Sequence, residues 1–198
     1  MQRDAEATRA RILRAATDEF AGNGLAGARV DRIAAAASAN KQLIYAYFGS
    51  KEGLFDAVMA EAVAGLLGDV PFDAADLPHY AVALHDYGLG HPELVRLARW
   101  HSLQRPGVLA TLPEAVAATE AKLKALADLQ ALGVVDDSLP ARHLLEQVLA
   151  LVHSGNDGVF AEFTGAGDAA QLQARRAALH RSVARLVEPR ASGSPEAV

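Results

Sequence analysis

Between residues 39 and 55 the chain reads ANKQLIYAYFGSKEGLF, and hydrogen-bond donors crowd there: Lys41, Gln42, Tyr45, Tyr47 and Lys51. Ammonium, carboxamide and phenol groups at that density suit recognition of an acceptor-rich surface. Groups that make or break bonds are missing or wrongly spaced. The chain has no cysteine, which excludes disulfides, thiolate metal sites and Cys nucleophiles and suits a reducing cytoplasm. All seven histidines follow residue 78, but no pair stands at i, i+4 with a carboxylate, and His143 and His153 are about three turns apart. His85-Asp86 is a sequence neighbour pair, not a dyad, and no nucleophile motif or Gly-rich phosphate loop appears. The expectation is therefore a protein that binds, with no enzyme activity, no metal and no cofactor.

The elements that must position these donors follow from composition and spacing. Half of the 198 residues are apolar and only 6% aromatic, with Ala and Leu dominant. That favours helix over sheet, and no period-2 Val/Ile/Tyr run is bounded by turn pairs, so the fold class expected is all-α. The start, MQRDAEATRARILRAA, has no apolar core of a signal peptide, and no apolar run is long enough to span a bilayer, so a cytoplasmic location is expected. Helices are expected over 4–21, ended by Gly22 and Gly24, then 30–37, 40–47 and 50–67. The connector GDVPFDAADLP follows, then helices near 79–88, 92–104, 113–132, 140–164 and 168–187. Ile12, Ala16 and Phe20 give the first helix one apolar face; Ile44 and Phe48, four apart, turn the apolar face of the helix beginning at residue 40 inward. The tail after residue 188 is small, polar and Pro-bearing, as in disordered ends.

A long helix followed by two short ones and a tight turn between them is a helix-turn-helix unit, whose second helix lies in the DNA major groove. A groove about 12 Å wide admits one helix that is apolar inside and polar outside, as 40–47 is. The formal net charge is −5, which is unpromising for a nucleic-acid binder. Its distribution is better: residues 1–52 hold eight Lys/Arg against six acids, about +2, which leaves about −7 for the rest.

The segments TRARILRAATDEFAGNG (8–24), RVDRIAAAASANKQLIYAYF (29–48) and SKEGLF (50–55) resemble the DNA-binding domain of TetR-type transcriptional regulators. The resemblance implies a DNA-binding domain over 1–49 and a helical ligand-binding and dimerisation domain over 50–188, connected by helix 50–67. It places Lys41, Gln42 and Leu43 at the groove-facing start of the recognition helix, with Asn40 also among the DNA-binding residues. There Gln bonds adenine, Lys reaches guanine acceptors and Leu meets a thymine methyl. It also assigns Tyr45, Tyr47 and Lys51 to phosphates, with the free N–H groups of the helix opened by Ser50 behind Lys51. Three positions depart from the family pattern. Ser38 stands where glycine is usual in the turn. Ala28-Arg29 replaces a hydroxyl pair, so that Arg29 would carry a phosphate contact, and Ala46 stands where histidine is common.

The remaining segments are expected to sense and to dimerise. Helix 140–164 looks apolar nearly all round, with Leu144, Leu151, Val159 and Phe160 among its side chains. One side is expected against a second copy at Leu144, Leu151, Gly155 and Gly158, with Leu172, Leu179 and Val183 of the last helix completing a four-helix interface. A ligand pocket is expected from Met59, Tyr80, His85, Leu97, Trp100, His101, Val152 and Asn156, which mix aromatic bulk with polar tips. The functional expectation is a ligand-responsive regulator, a repressor that binds a palindromic DNA operator as a homodimer. A small, largely apolar or aromatic effector would release it. The alternative is an all-α small-molecule-binding protein or enzyme whose helix-turn-helix is structural only.

Overall fold

The computed structural model describes residues 2–154 and 168–189, and the regular secondary structure among them is all helical, with no strand. The helices are α1 (Gln2–Gly27), α2 (Val30–Ala36), α3 (Lys41–Phe48), α4 (Lys51–Asp69), α5 (Leu77–Gly90), α6 (Pro92–Gln104), α7 (Pro113–Ala131), α8 (Ala141–Ser154) and α9 (Ala169–Val187). A 3-10 turn, Val108–Thr111, precedes α7.

Packing divides the chain into two compact units: residues 1–68 with 90–116, and residues 69–89 with 117–198. In the first, Ile12, Ala16 and Phe20 are fully buried along one face of α1, as their spacing requires. Phe20 meets Phe55 of α4 edge to face at 5.1 Å, and Ile33, Ile44, Leu54 and Leu97 close the same core. The boundary expected after Gly49 therefore does not mark a change of packing. Leu54, Phe55, Val58 and Met59 of α4, with Leu97 of α6, belong to the core begun by α1.

Gly22 does not end α1, because one glycine lowers helix propensity without breaking the ladder. The break falls at Gly24, whose φ of 65° and ψ of 177° leave the helical region. A Cβ there would lie 2.8 Å from the indole of Trp100, so both conformation and space select glycine. Across the break, the Trp100 ring N–H donates to the Ala21 carbonyl at 3.4 Å and the Leu25 N–H donates to Gln104 Oε1 at 2.7 Å. α6 thus supplies partners to the backbone groups that the broken turn leaves open. Arg105, just past α6, holds Asp56 of α4 through Nε and Nη2 at 3.2 and 2.6 Å.

In the second unit α8 packs on α9. α8 is amphipathic rather than apolar all round: Leu144, Leu145, Val148 and Val152 are buried while Arg142, His143, Glu146, Gln147 and Ala150 are exposed. The correction comes from spacing, since leucines and valines three and four apart share one face even in a sequence that reads as a continuous run. Asp168 caps α9, its carboxylate accepting from the Gln171 N–H at 2.9 Å. The expected Gly155, Asn156, Gly158, Val159 and Phe160 positions and most of the tail lie outside the described residues.

Candidate nucleic-acid interface

α2 and α3 form the expected short pair, and each end has a physical stop. α2 opens on Arg29, which has no side-chain cap of its own; instead its N–H donates to Glu19 Oε1 on α1 at 3.0 Å, and Glu19 also pairs with Arg32 at 3.7 Å. A carboxylate beside a helix N-terminus complements the free amides there. The other end is closed by Arg11, whose Nε donates to the Ala37 carbonyl at 3.3 Å. The turn then passes through Ser38 at φ 49°, the one non-glycine residue with positive φ among those described. The chain builds the family turn with a residue that carries a Cβ into the left-handed region.

Asn40 N-caps α3, its side-chain oxygen accepting from the Leu43 N–H at 2.7 Å. Its side-chain oxygen is thus engaged in starting the recognition helix, while the amide NH2 of the same group can still donate. At 100° per residue, burial of Ile44 and Phe48 directs the opposite arc outward. Gln42 and Ala46 lie at the middle of that arc, with Tyr45 and the half-buried Leu43 beside them. Tyr45 and Tyr47 are 40% and 38% exposed, so neither hydroxyl is consumed by the core. Lys41 leans back to α2, its Nζ 3.0 Å from a carboxylate oxygen of Asp31. Hydrogen bonding and charge from Asp31 hold the Lys41 ammonium above its ordinary pKa.

The start of α4 differs from the expectation of open amides. Ser50 Oγ accepts from the Gly53 N–H at 3.0 Å, and Glu52 folds onto its own backbone N–H, which lowers its carboxyl pKa. A Cβ on Gly53 would collide with the Phe48 carbonyl, which explains the glycine in SKEGLF. Lys51 Nζ donates to the Ala26 and Ala28 carbonyls at 3.4 and 3.3 Å, tying the start of α4 to the end of α1. One of its three donors is left for an outside acceptor. Sequence reading missed Glu19 and Asp31, which stand ten residues from their partners with no local signal of contact.

The expected ligand-pocket residues do not share one unit. Met59 and Leu97 are closed core in the first, with Trp100 packed on Gly24 and His101 buried beside the Asp56–Arg105 pair. Tyr80 and Val152 are buried in the second, where the Tyr80 hydroxyl accepts from Lys122 at 2.8 Å and its ring meets Phe72 at 4.9 Å. His85, in the same unit, is 1% exposed, with no hydrogen-bond partner on either nitrogen. Of the expected interface residues, Leu144, Leu179 and Val183 are buried within their own unit, Leu151 is half-buried and Leu172 exposed. No group of three or more His, Cys, Asp or Glu among the described residues could hold a metal, and no described helix is long and apolar enough to cross a membrane.

Residues 12–58 match the family model for bacterial regulatory proteins of the tetR family, and residues 76–185 match the tetracyclin repressor-like C-terminal domain. An HTH-type transcriptional repressor of Streptomyces coelicolor is 45% identical over 154 residues, covering 76% of this chain and 79% of that protein. The HTH-type transcriptional repressor NicS of Pseudomonas putida is 34% identical over 108 residues, about half of each chain (51% and 51%). A crystal structure described as a transcriptional regulator of Streptomyces coelicolor superposes with a TM-score of 0.78 at 35% identity, over 91% of this chain and 98% of that one. The two matched segments together span most of the chain, and the first contains α2, α3 and the start of α4. The chain belongs to the TetR family of bacterial transcriptional regulators, a family of DNA-binding proteins and not of enzymes.

Proposed function

We propose that this protein is a cytoplasmic, ligand-responsive repressor that binds a palindromic operator as a homodimer. The observation that carries the reading is the outer arc of α3: Gln42, Ala46 and Tyr45 are presented to solvent on a helix whose inner face is closed by Ile44, with Lys41 exposed at the helix start. Gln42 is the base reader, bidentate to adenine, and Lys41 reaches guanine acceptors once it leaves Asp31. Tyr45, Tyr47 and Arg29 contact phosphates and set the register. Lys51 adds a single donor to phosphate while it keeps α4 seated on α1.

Dimerisation is assigned to the outward face of α8 and α9. A shallow groove of about 670 Å³ runs there between Gln147, Ala150, Leu151, Ser182, Arg185 and Leu186, an apolar strip with polar edges. Two copies joined on that strip place two recognition helices for half-sites about 34–36 Å apart. A small effector favours a conformer with another spacing and so releases the operator.

Selection of bound sequences from a random DNA pool tests the reading. The expected product is an inverted repeat bound with a steep salt dependence, and Gln42→Ala relaxes the preference at one base position per half-site. A pool that yields no enriched sequence, with the dimeric protein at micromolar concentration, refutes it.

A further inference from the structure

The chain enters α2 through one peptide unit, Ala28–Arg29, and ionised side chains from two other helices hold both of its polar groups. Its carbonyl, on Ala28, accepts from Lys51 Nζ of α4 at 3.3 Å, and its N–H, on Arg29, donates to Glu19 Oε1 of α1 at 3.0 Å. Ala28 and Val30 on either side are buried, so the backbone has little room to turn. Arg29 itself is extended, at φ −118° and ψ 117°, and its side chain makes no cap for α2. Glu19 is well seated: Phe20 beside it, fully buried against Phe55, fixes the rotation of α1, and the Glu19 side chain is only 12% exposed. Arg32 lies 3.7 Å from the same carboxylate oxygen and balances its charge. The hydroxyl cap usual at this helix start is thus replaced by a carboxylate from α1, and hydrogen bonds to ionised acceptors are the stronger kind.

We infer that Glu19 is a positioning residue for DNA binding: by holding the Ala28–Arg29 peptide against Lys51, it fixes the direction in which the exposed Arg29 side chain leaves α2, toward the DNA backbone. The inference rests on the phosphate contact proposed for Arg29 and adds the residue that aims it. A side chain set in place before binding avoids the ordering cost that a mobile one meets on association. Without Glu19 the Arg29 N–H loses its acceptor and the guanidinium swings free, while the outer arc of α3 is untouched. Base preference is therefore expected to survive and phosphate affinity to fall.

Two measurements on the full chain test the clamp and its consequence. Hydrogen exchange without DNA reads the Arg29 amide, which should exchange about tenfold faster in Glu19→Ala than in wild type. Glu19→Gln keeps an acceptor oxygen at the same reach and should restore the protection. Fluorescence anisotropy then reads binding to the selected operator and to a random duplex of equal length. Glu19→Ala should weaken both by the same factor, about five- to tenfold, and lower the slope of log affinity against log salt by about one per half-site; Glu19→Gln should stay within about threefold of wild type. In an Arg29→Ala background, Glu19→Ala should cost no further affinity, a coupling that general destabilisation does not produce. An Arg29 amide equally protected in Glu19→Ala, DNA affinity unchanged in that variant, or a loss that persists in full in the Arg29→Ala background would each overturn the inference. Arg29→Ala binding as wild type would overturn it too, while leaving the helix-turn-helix reading in place. A wild-type protein that binds neither duplex would instead sink that reading, and the positioning role with it, even with the amide protected.

Discussion

Lys41 enters the recognition surface already engaged, 3.0 Å from Asp31, so binding DNA requires exchanging a carboxylate for a base or phosphate. An exposed pair of this kind is weak, which keeps the exchange cheap, but the acid also faces the polyanion. Asp31→Asn is expected to raise operator affinity about three- to tenfold at low salt, with the gain fading as salt rises, measured by fluorescence anisotropy. Ser38 is the second residue of interest at this scale, because at φ 49° it holds a conformation that glycine adopts without a Cβ penalty. Ser38→Gly should stabilise the protein by about 0.5–1 kcal/mol, seen as a rise of about 2 °C in Tm. Both positions illustrate how much the sequence makes visible. The types and spacing of Lys41, Gln42 and Tyr45 point to a DNA surface, and the missing turn glycine is evident by inspection. What Lys41 holds in the free protein depends on how α2 crosses α3, which no local pattern encodes.

Among the elements, α6 carries the largest departure from expectation. Its aromatic and polar mixture, Leu97, Trp100 and His101, suggests a ligand pocket because amphipathic residues of this kind line both pockets and helix seams. Packing decides between the two: Leu97 is core, and Trp100 and Gln104 serve the broken turn at Gly24. Gly24→Ala combines a positive φ with a Cβ 2.8 Å from the indole, and should cost about 3 kcal/mol, measured by urea unfolding. An effect within 0.5 kcal/mol would mean that the seam yields freely. The helices themselves were legible because apolar spacing marks each face; α5, α6, α7 and α9 lie close to their expected bounds. The depth of amphipathicity in α8 was not, since a dense Leu/Val run hides which residues fall on the polar arc.

For the whole molecule, two buried histidines set the acid limit of stability. Burial lowers the pKa of both His85 and His101, in different units, below the ordinary 6.5. A histidine that is neutral when folded and protonated when unfolded contributes stability that is present above pH 6.5 and lost as pH falls below it, until the folded-state pKa is reached. Thermal unfolding between pH 7.5 and 5 should therefore show a falling Tm, and His101→Leu should flatten part of that slope; an unchanged slope in that variant would remove His101 from the account. Assembly is the second property at this scale. Ala150 is exposed in the strip between α8 and α9, so Ala150→Arg should shift sedimentation from dimer to monomer and weaken operator binding by about 100-fold or more, through loss of the second half-site.

Trp100 is the chain's single tryptophan, and its indole sits on the break at Gly24 near the end of α1, just ahead of α2 and α3. The protein thus carries its own optical probe at the seam between α6 and the DNA-binding helices. A displacement of α6 would alter the indole's polarity and its donation to Ala21, and so shift the emission without any label. Stopped-flow fluorescence on the unmodified protein can then time that movement against DNA release, and the order of the two events distinguishes a seam that drives release from one that follows it.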